Sequence, residues 1–157
     1  MLDIKLNNKT PNISDLFLTP LKEINVEGGN VLHALKKSDP GYDGFGEAYF
    51  SNIEFESIKA WKLHKKMTLN LVVPLGSVRF VIYDNRKNSS SFQKFDEIIL
   101  SRISFYRLTI PPMLWVGFQG LDQNTSLILN IGNIEHDSKE VERKEILEFN
   151  YNWGRKK

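Results

Sequence analysis

The chain has 157 residues, 41% hydrophobic and 25% charged; this supplies one folded core, excludes intrinsic disorder and is too short for two ordinary domains. Lys and Arg number 21 against 19 Asp and Glu, a net charge of +2, which argues against a general nucleic-acid binder. Cysteine is absent and the histidines are His33, His64 and His136, so disulfides, thiolate metal sites and thiol nucleophiles drop out.

The opening, MLDIKLNNKTPNISD, is polar and lacks the apolar core of a signal peptide. No apolar run reaches the ~20 residues of a membrane span. A cytoplasmic protein is expected, one domain over residues 1–157. Ser14 to Phe17 offers one short capped helical turn, and Gly28 to Asn30 marks a turn. Strands then follow closely. Phe45 to Ile53 is aromatic-rich, and Ser57 to His64 alternates, with Ile58, Ala60, Lys62 and His64 on one face. Thr68 to Pro74 is nearly all apolar and ends at the turn Leu75-Gly76-Ser77. Val78 to Tyr83 is the strongest strand, β-branched and aromatic throughout. After the loop Asp84 to Ser91, strands are expected at Asp96 to Leu100, Tyr106 to Ile110 and Ser126 to Ile131. The stretch between the last two turns at Pro111-Pro112 and near Gly120. Asp137 to Glu145 reads as a charged helix capped by Asp137 or Ser138. Short, evenly spaced strands punctuated by Gly, Pro, Asn and Asp predict an all-β antiparallel barrel or sandwich with short peripheral helices.

The densest polar feature is Lys59, Lys62, His64, Lys65 and Lys66. Such a cluster either seats an anion, with Trp61 as an apolar wall and Arg79 and Arg86 joining from neighbouring strands, or keeps a strand end soluble. Lys59 and Lys62 have opposite parity, so both face one pocket only if the strand bulges or ends between them. His64 serves either as a hydrogen-bonded structural residue or as an acid–base group. Lys62, two positions earlier, is a poor metal ligand and no second His or Cys completes a set, so no metal is expected. Around Gly117, Trp115 and Phe118 either wall a sugar or nucleotide pocket or fill the core. No Gly-rich phosphate loop is present, and nothing implies a cofactor.

Four segments in order resemble the dTDP-4-dehydrorhamnose 3,5-epimerases, over roughly Phe45 to Trp153. They are FGEAYFSNI with SIKAWKLH, then VRFVIYDNRKNSSSF, then LTIPPMLWVGFQGL, and a closing Tyr-x-Trp at Tyr151 and Trp153. The resemblance implies a cupin-type double-sheet jelly roll that closes over an apolar barrel and acts on a nucleotide-diphosphate 4-keto-deoxysugar in surface polysaccharide synthesis. It also implies a homodimer, with residues 1–25 as an arm joining the partner's sheet.

Carried over from the family, Lys59 falls on the arginine that holds the diphosphate and Lys62 on the histidine base. Asn130 falls on the acid tyrosine, Glu47 on a glutamine that contacts the nucleotide base, and Val116 on a second histidine. Leu69 or Asn70 takes the place of the enolate lysine, and the nearest acids to a partner aspartate are Glu145 and Glu148. A base is expected at Lys62, lowered in pKa by its cationic neighbours, or at His64. Tyr83 or Tyr106 is then the expected acid. Two further readings stay open: a ketoisomerase that moves the carbonyl, and a non-catalytic cupin that binds a nucleotide sugar or glycan.

Overall fold

β-Branched and aromatic segments form twelve strands within residues 10–154, the part of the chain described by this computed structural model. They are β1 (Phe17–Pro20), β2 (Glu23–Ile24), β3 (Val31–Leu32), β4 (Glu47–Ile53), β5 (Ile58–His64), β6 (Leu69–Leu75), β7 (Ser77–Tyr83), β8 (Phe95–Ser101), β9 (Tyr106–Ile110), β10 (Trp115–Gly120), β11 (Ser126–Gly132) and β12 (Val141–Arg143). Two five-stranded antiparallel sheets result, ordered β1-β9-β6-β11-β4 and β12-β5-β10-β7-β8, beside a small β2-β3 hairpin. From β4 onward the chain crosses between the sheets at almost every step, giving a double-sheet jelly roll. The sheets remain separate and do not close into the expected barrel.

Alternation along the strands decides what lies between the sheets. On β7, Val78, Phe80 and Ile82 point inward to meet Leu69, Leu71 and Val73 of β6, Leu108 of β9 and Ile128 of β11. Each such side chain contributes about 1.5–3 kcal/mol when fully buried. Val81 and Tyr83 take the other face of β7, where they pack with Trp61, Leu63, Trp115 and Trp153. That outer face is covered by the chain after β12. Trp61 Nε1 donates to the Ile146 carbonyl at 3.1 Å, and the Trp61 ring lies 5.3 Å from Phe149 and 5.4 Å from Trp153. The second sheet is therefore apolar on both faces.

The first sheet is sealed differently. Arg107 on β9 is fully buried and donates to Asn70 on β6, to the carbonyls of Ala34 and Pro40, and to Asp39. This pins the segment before β4 against the sheet.

Strands expected from sequence recur within one or two residues of their predicted ends. Between the turns expected at Pro111-Pro112 and near Gly120 lies β10, whose Trp115, Val116 and Phe118 fill both faces of the second sheet. The charged helix expected at Asp137 to Glu145 shrinks to a 3-10 turn at Ser138–Glu140, capped by Asp137, before the chain enters β12. The helical turn expected at Ser14 to Phe17 is a non-helical turn that leads into β1. Residues 1–9 of the expected arm lie outside the described residues. Of the remainder, Ile13 and Leu16 are buried in the core and β1 pairs with β9 of its own chain.

Candidate functional site

A cavity of about 410 Å³ opens between the sheets, within the size range of small-molecule sites. Its floor is apolar, formed by Leu69, Leu71, Phe80, Ile110, Leu114 and Ile128. Its charged lining is entirely cationic: Lys59, Lys62 and Arg143 reach it, and no carboxylate does. His64, Tyr49, Ser51 and Asn130 complete the polar wall.

A β-bulge brings the two β5 lysines together. Lys62 pairs with Val116 and Lys59 with Phe118, so Ala60 and Trp61 face the single residue Gly117. The extra residue resets the parity, and Lys59 and Lys62 both turn toward the cavity. Gly117 allows this close approach, since a Cβ there would lie 2.7 Å from Ala60 Cβ and 2.9 Å from the Trp153 ring. Lys59 sits at the exposed rim, with Nζ 3.1 Å from the Asn52 carbonyl. Lys62 is deeper. Burial and the neighbouring Arg143 draw its pKa below the ordinary lysine value. Arg143 is placed by the register of β12, where it pairs with Lys62 while Val141 pairs with His64.

His64 ends β5. Its Nδ1 donates to Glu140 Oε1 at 2.5 Å, while Glu140 Oε2 accepts from the amides of Lys66 and Met67 at 3.0 and 3.3 Å. Burial opposes ionisation of Glu140, but these hydrogen bonds outweigh it and hold the carboxyl below its ordinary pKa. Burial also lowers the His64 pKa, against the pull of Glu140. The result at neutral pH is a neutral imidazole with Nδ1–H fixed on a carboxylate. Nε2 is left as the free basic atom of a side chain that lines the cavity.

Across the cavity, Asn130 on β11 donates to Ser51 Oγ at 2.9 Å. Tyr49 is the register partner of Asn130 on β4. Glu47 lies on the same face of β4 by alternation, at the strand's start and outside the lining, close enough for its charge to act on Lys62.

Other expected site residues lie elsewhere. Trp61 touches the cavity, yet most of its ring belongs to the outer aromatic cluster. Trp115 is buried in that cluster, beneath Lys144. Tyr83 stacks on Phe95 at 4.4 Å and Arg79 faces Glu97 at 3.7 Å, both on the outer side of the second sheet. Arg86 clamps Asp84 with Nε and Nη2 at 2.9 Å each, bracing the loop after β7. Tyr106 packs against the core. Lys65 pairs with Glu142 at 3.3 Å outside the cavity.

Glu140, Arg143 and Tyr49 belong to the site and were not singled out from sequence. The alternation of Val141, Glu142 and Arg143 was the available sign of a strand there. Among the described residues, no group of three or more His, Asp or Glu is placed to hold a metal ion. No helix among them is long and apolar enough to cross a membrane.

No family model matches the chain. Its structure is similar to that of a dTDP sugar isomerase from Desulfovibrio desulfuricans G20, with TM-score 0.87 and 34% identity over 90% of this chain and 92% of that one. A dTDP-4-dehydrorhamnose 3,5-epimerase from Bacillus anthracis with TDP and PPi bound shares the fold at TM-score 0.76, with 20% identity over 85% and 81% of the two chains. A probable low-salt glycan biosynthesis epimerase from Haloferax volcanii is 23% identical over 138 residues, 87% of this chain and 88% of that protein.

Proposed function

The chain belongs to the family of dTDP-sugar isomerases, and we propose that it isomerises a nucleotide-diphosphate 4-keto-deoxysugar by removing a proton next to the ketone. The reading is carried by one observation: a carboxylate-held imidazole and three cationic side chains line a single cavity that no acid enters.

His64 Nε2 takes the proton from the carbon beside C4, and the C–H electron pair passes into an enolate on the former ketone oxygen. Lys62 stands on the same strand face as His64. Its ammonium stabilises that oxyanion most where water is thin. Arg143 and Lys59 extend the positive wall toward the rim and hold the diphosphate, Arg143 through its planar fork. The apolar floor accepts the deoxy carbon and sugar ring faces. No cofactor takes part in this scheme. The protein acts in the cytoplasm on a precursor for surface glycan synthesis, as a homodimer to which residues 1–25 contribute.

The test is proton exchange. Incubation with a dTDP-4-keto-6-deoxy sugar in deuterated water is expected to place label at C3 or C5, and His64→Gln is expected to abolish it. Saturable binding with no label from the wild-type protein would assign a non-catalytic nucleotide-sugar binder instead.

A further inference from the structure

Proton removal by His64 creates a cation, because the neutral imidazole becomes imidazolium inside the cavity. The surroundings are already positive. Lys59, Lys62 and Arg143 supply the whole charged lining, and no carboxylate enters. Lys62 shares the β5 face of His64 two residues away, and Arg143 stands opposite Lys62 on β12. A like charge disfavours the charged form of a base. The wall that seats an anion therefore opposes the step that His64 performs.

The groups around the imidazole fall on two sides. Burial opposes the imidazolium first, and the charges of Lys62 and His136 add to that opposition. Glu140 favours it, through the hydrogen bond to Nδ1 and through its charge. The wall across the cavity brings Tyr49, Ser51 and Asn130 from β4 and β11, and the loop before β10 brings Pro111 and Leu114. Glu47, at the start of β4, acts on Lys62 from outside the lining.

We propose that the substrate's own diphosphate is the counter-charge of the base: seated on Lys59 and Arg143, it offsets the cationic wall and makes His64 a stronger proton acceptor once the cavity is loaded. The inference rests on the function proposed above and couples its two halves, anion binding at the rim and proton transfer inside.

Magnitudes favour the coupling. A sugar-linked diphosphate carries two negative charges at neutral pH, set against three cations on the wall. Between apolar sheet faces these charges reach further than in water. The sugar also displaces water from the imidazole, which works in the opposite sense. That loss is small, since the His64 side chain is already only 10% exposed, whereas the negative charge is wholly new. A carbonyl compound without the diphosphate meets a weaker base, so the same device rejects truncated substrates through kcat as well as through affinity.

Nitrogen NMR of the imidazole across pH reads the coupling, with His64→Gln identifying its signal among those of His33, His64 and His136. The probe is dTDP-glucose, whose diphosphate has no proton to give near neutral pH and whose sugar has no ketone to react. At saturation it is expected to raise the His64 pKa by about one pH unit or more. Without ligand, Lys62→Met should start above the wild type. With a dTDP-4-keto-6-deoxy sugar, the acid limb of kcat should lie at higher pH than that of kcat/KM, since the first reports the loaded cavity and the second the free protein. A bound probe that leaves the His64 pKa unmoved or lowers it would overturn the coupling, as would coincident acid limbs. An equal starting value in Lys62→Met would overturn its electrostatic premise. Failure of dTDP-glucose to bind would overturn the function proposed above, and the coupling with it.

Discussion

Glu140 Oε1 lies 2.5 Å from His64 Nδ1, although 76 positions separate the two residues. The contact exists because the chain leaves a short 3-10 turn at Glu140 and pairs immediately with β5, setting Val141 opposite His64. Both side chains are buried. The carboxylate selects the tautomer that leaves Nε2 basic, and it makes the imidazole a stronger proton acceptor than burial alone would allow.

Glu140→Gln is therefore expected to lower the plateau rate by about 100-fold and to move the acid limb of the pH–rate profile to lower pH. The sign follows from the charge. The Glu140 carboxylate raises the His64 pKa, so its removal lets the imidazole stay neutral further into acid. A rate loss with an unmoved acid limb would show that Glu140 serves the fold and not the base.

Arg143→Ala and Lys59→Ala should each weaken dTDP affinity by ~10- to 100-fold, the worth of a charged hydrogen bond. Glu142→Ala, on the neighbouring residue that pairs with Leu63 instead, should leave affinity unchanged. Calorimetric titration distinguishes these cases, and equal affinity in all three variants would place the diphosphate elsewhere.

The strands were legible in the sequence because β-branched and aromatic runs such as Val78 to Tyr83 have few other uses. The cationic pair Lys59 and Lys62 was legible too, together with the bulge its parity required. The direction each side chain faces was not. Both faces of the second sheet are buried, one by the cavity and core, the other by Phe149, Tyr151 and Trp153. Alternation therefore separates two apolar faces without saying which holds the site, and Tyr83, Arg79 and Trp115 fall on the outer one. Glu140 and Arg143 were hidden in a charged stretch whose helical caps outweighed its three-residue strand.

Gly117→Val tests the bulge. The new side chain would meet Ala60 Cβ and the Trp153 ring inside contact distance, at a cost of about 1–3 kcal/mol. Urea unfolding should show that loss, and dTDP affinity should fall with it as Lys59 and Lys62 lose their common face. Wild-type stability and affinity would mean that the bulge does not depend on the missing side chain.

Asp84 tests acid stability. Burial opposes its ionisation, but hydrogen bonds from Arg86, Ser91 and Ser89 outweigh this and hold its carboxyl far below the ordinary aspartate range. A depressed folded-state pKa means that its stabilisation is present above the unfolded value, about pH 4, and drains away as pH falls further. Asp84→Asn is expected to cost about 3–5 kcal/mol at pH 7 and to flatten the decline of stability below pH ~4. Urea titrations across that interval check both, and an equally steep decline in the variant would point to other carboxylates.

The most direct measurement is a crystal structure of the protein with a dTDP-4-keto-6-deoxy sugar, or a stable analogue, in the cavity. The account predicts the carbon beside the ketone within ~3.5 Å of His64 Nε2, a near-attack distance, with the ketone oxygen toward Lys62 and the diphosphate against Lys59 and Arg143. A sugar bound outside the two sheets, or one that presents only its nucleotide to His64, would contradict it.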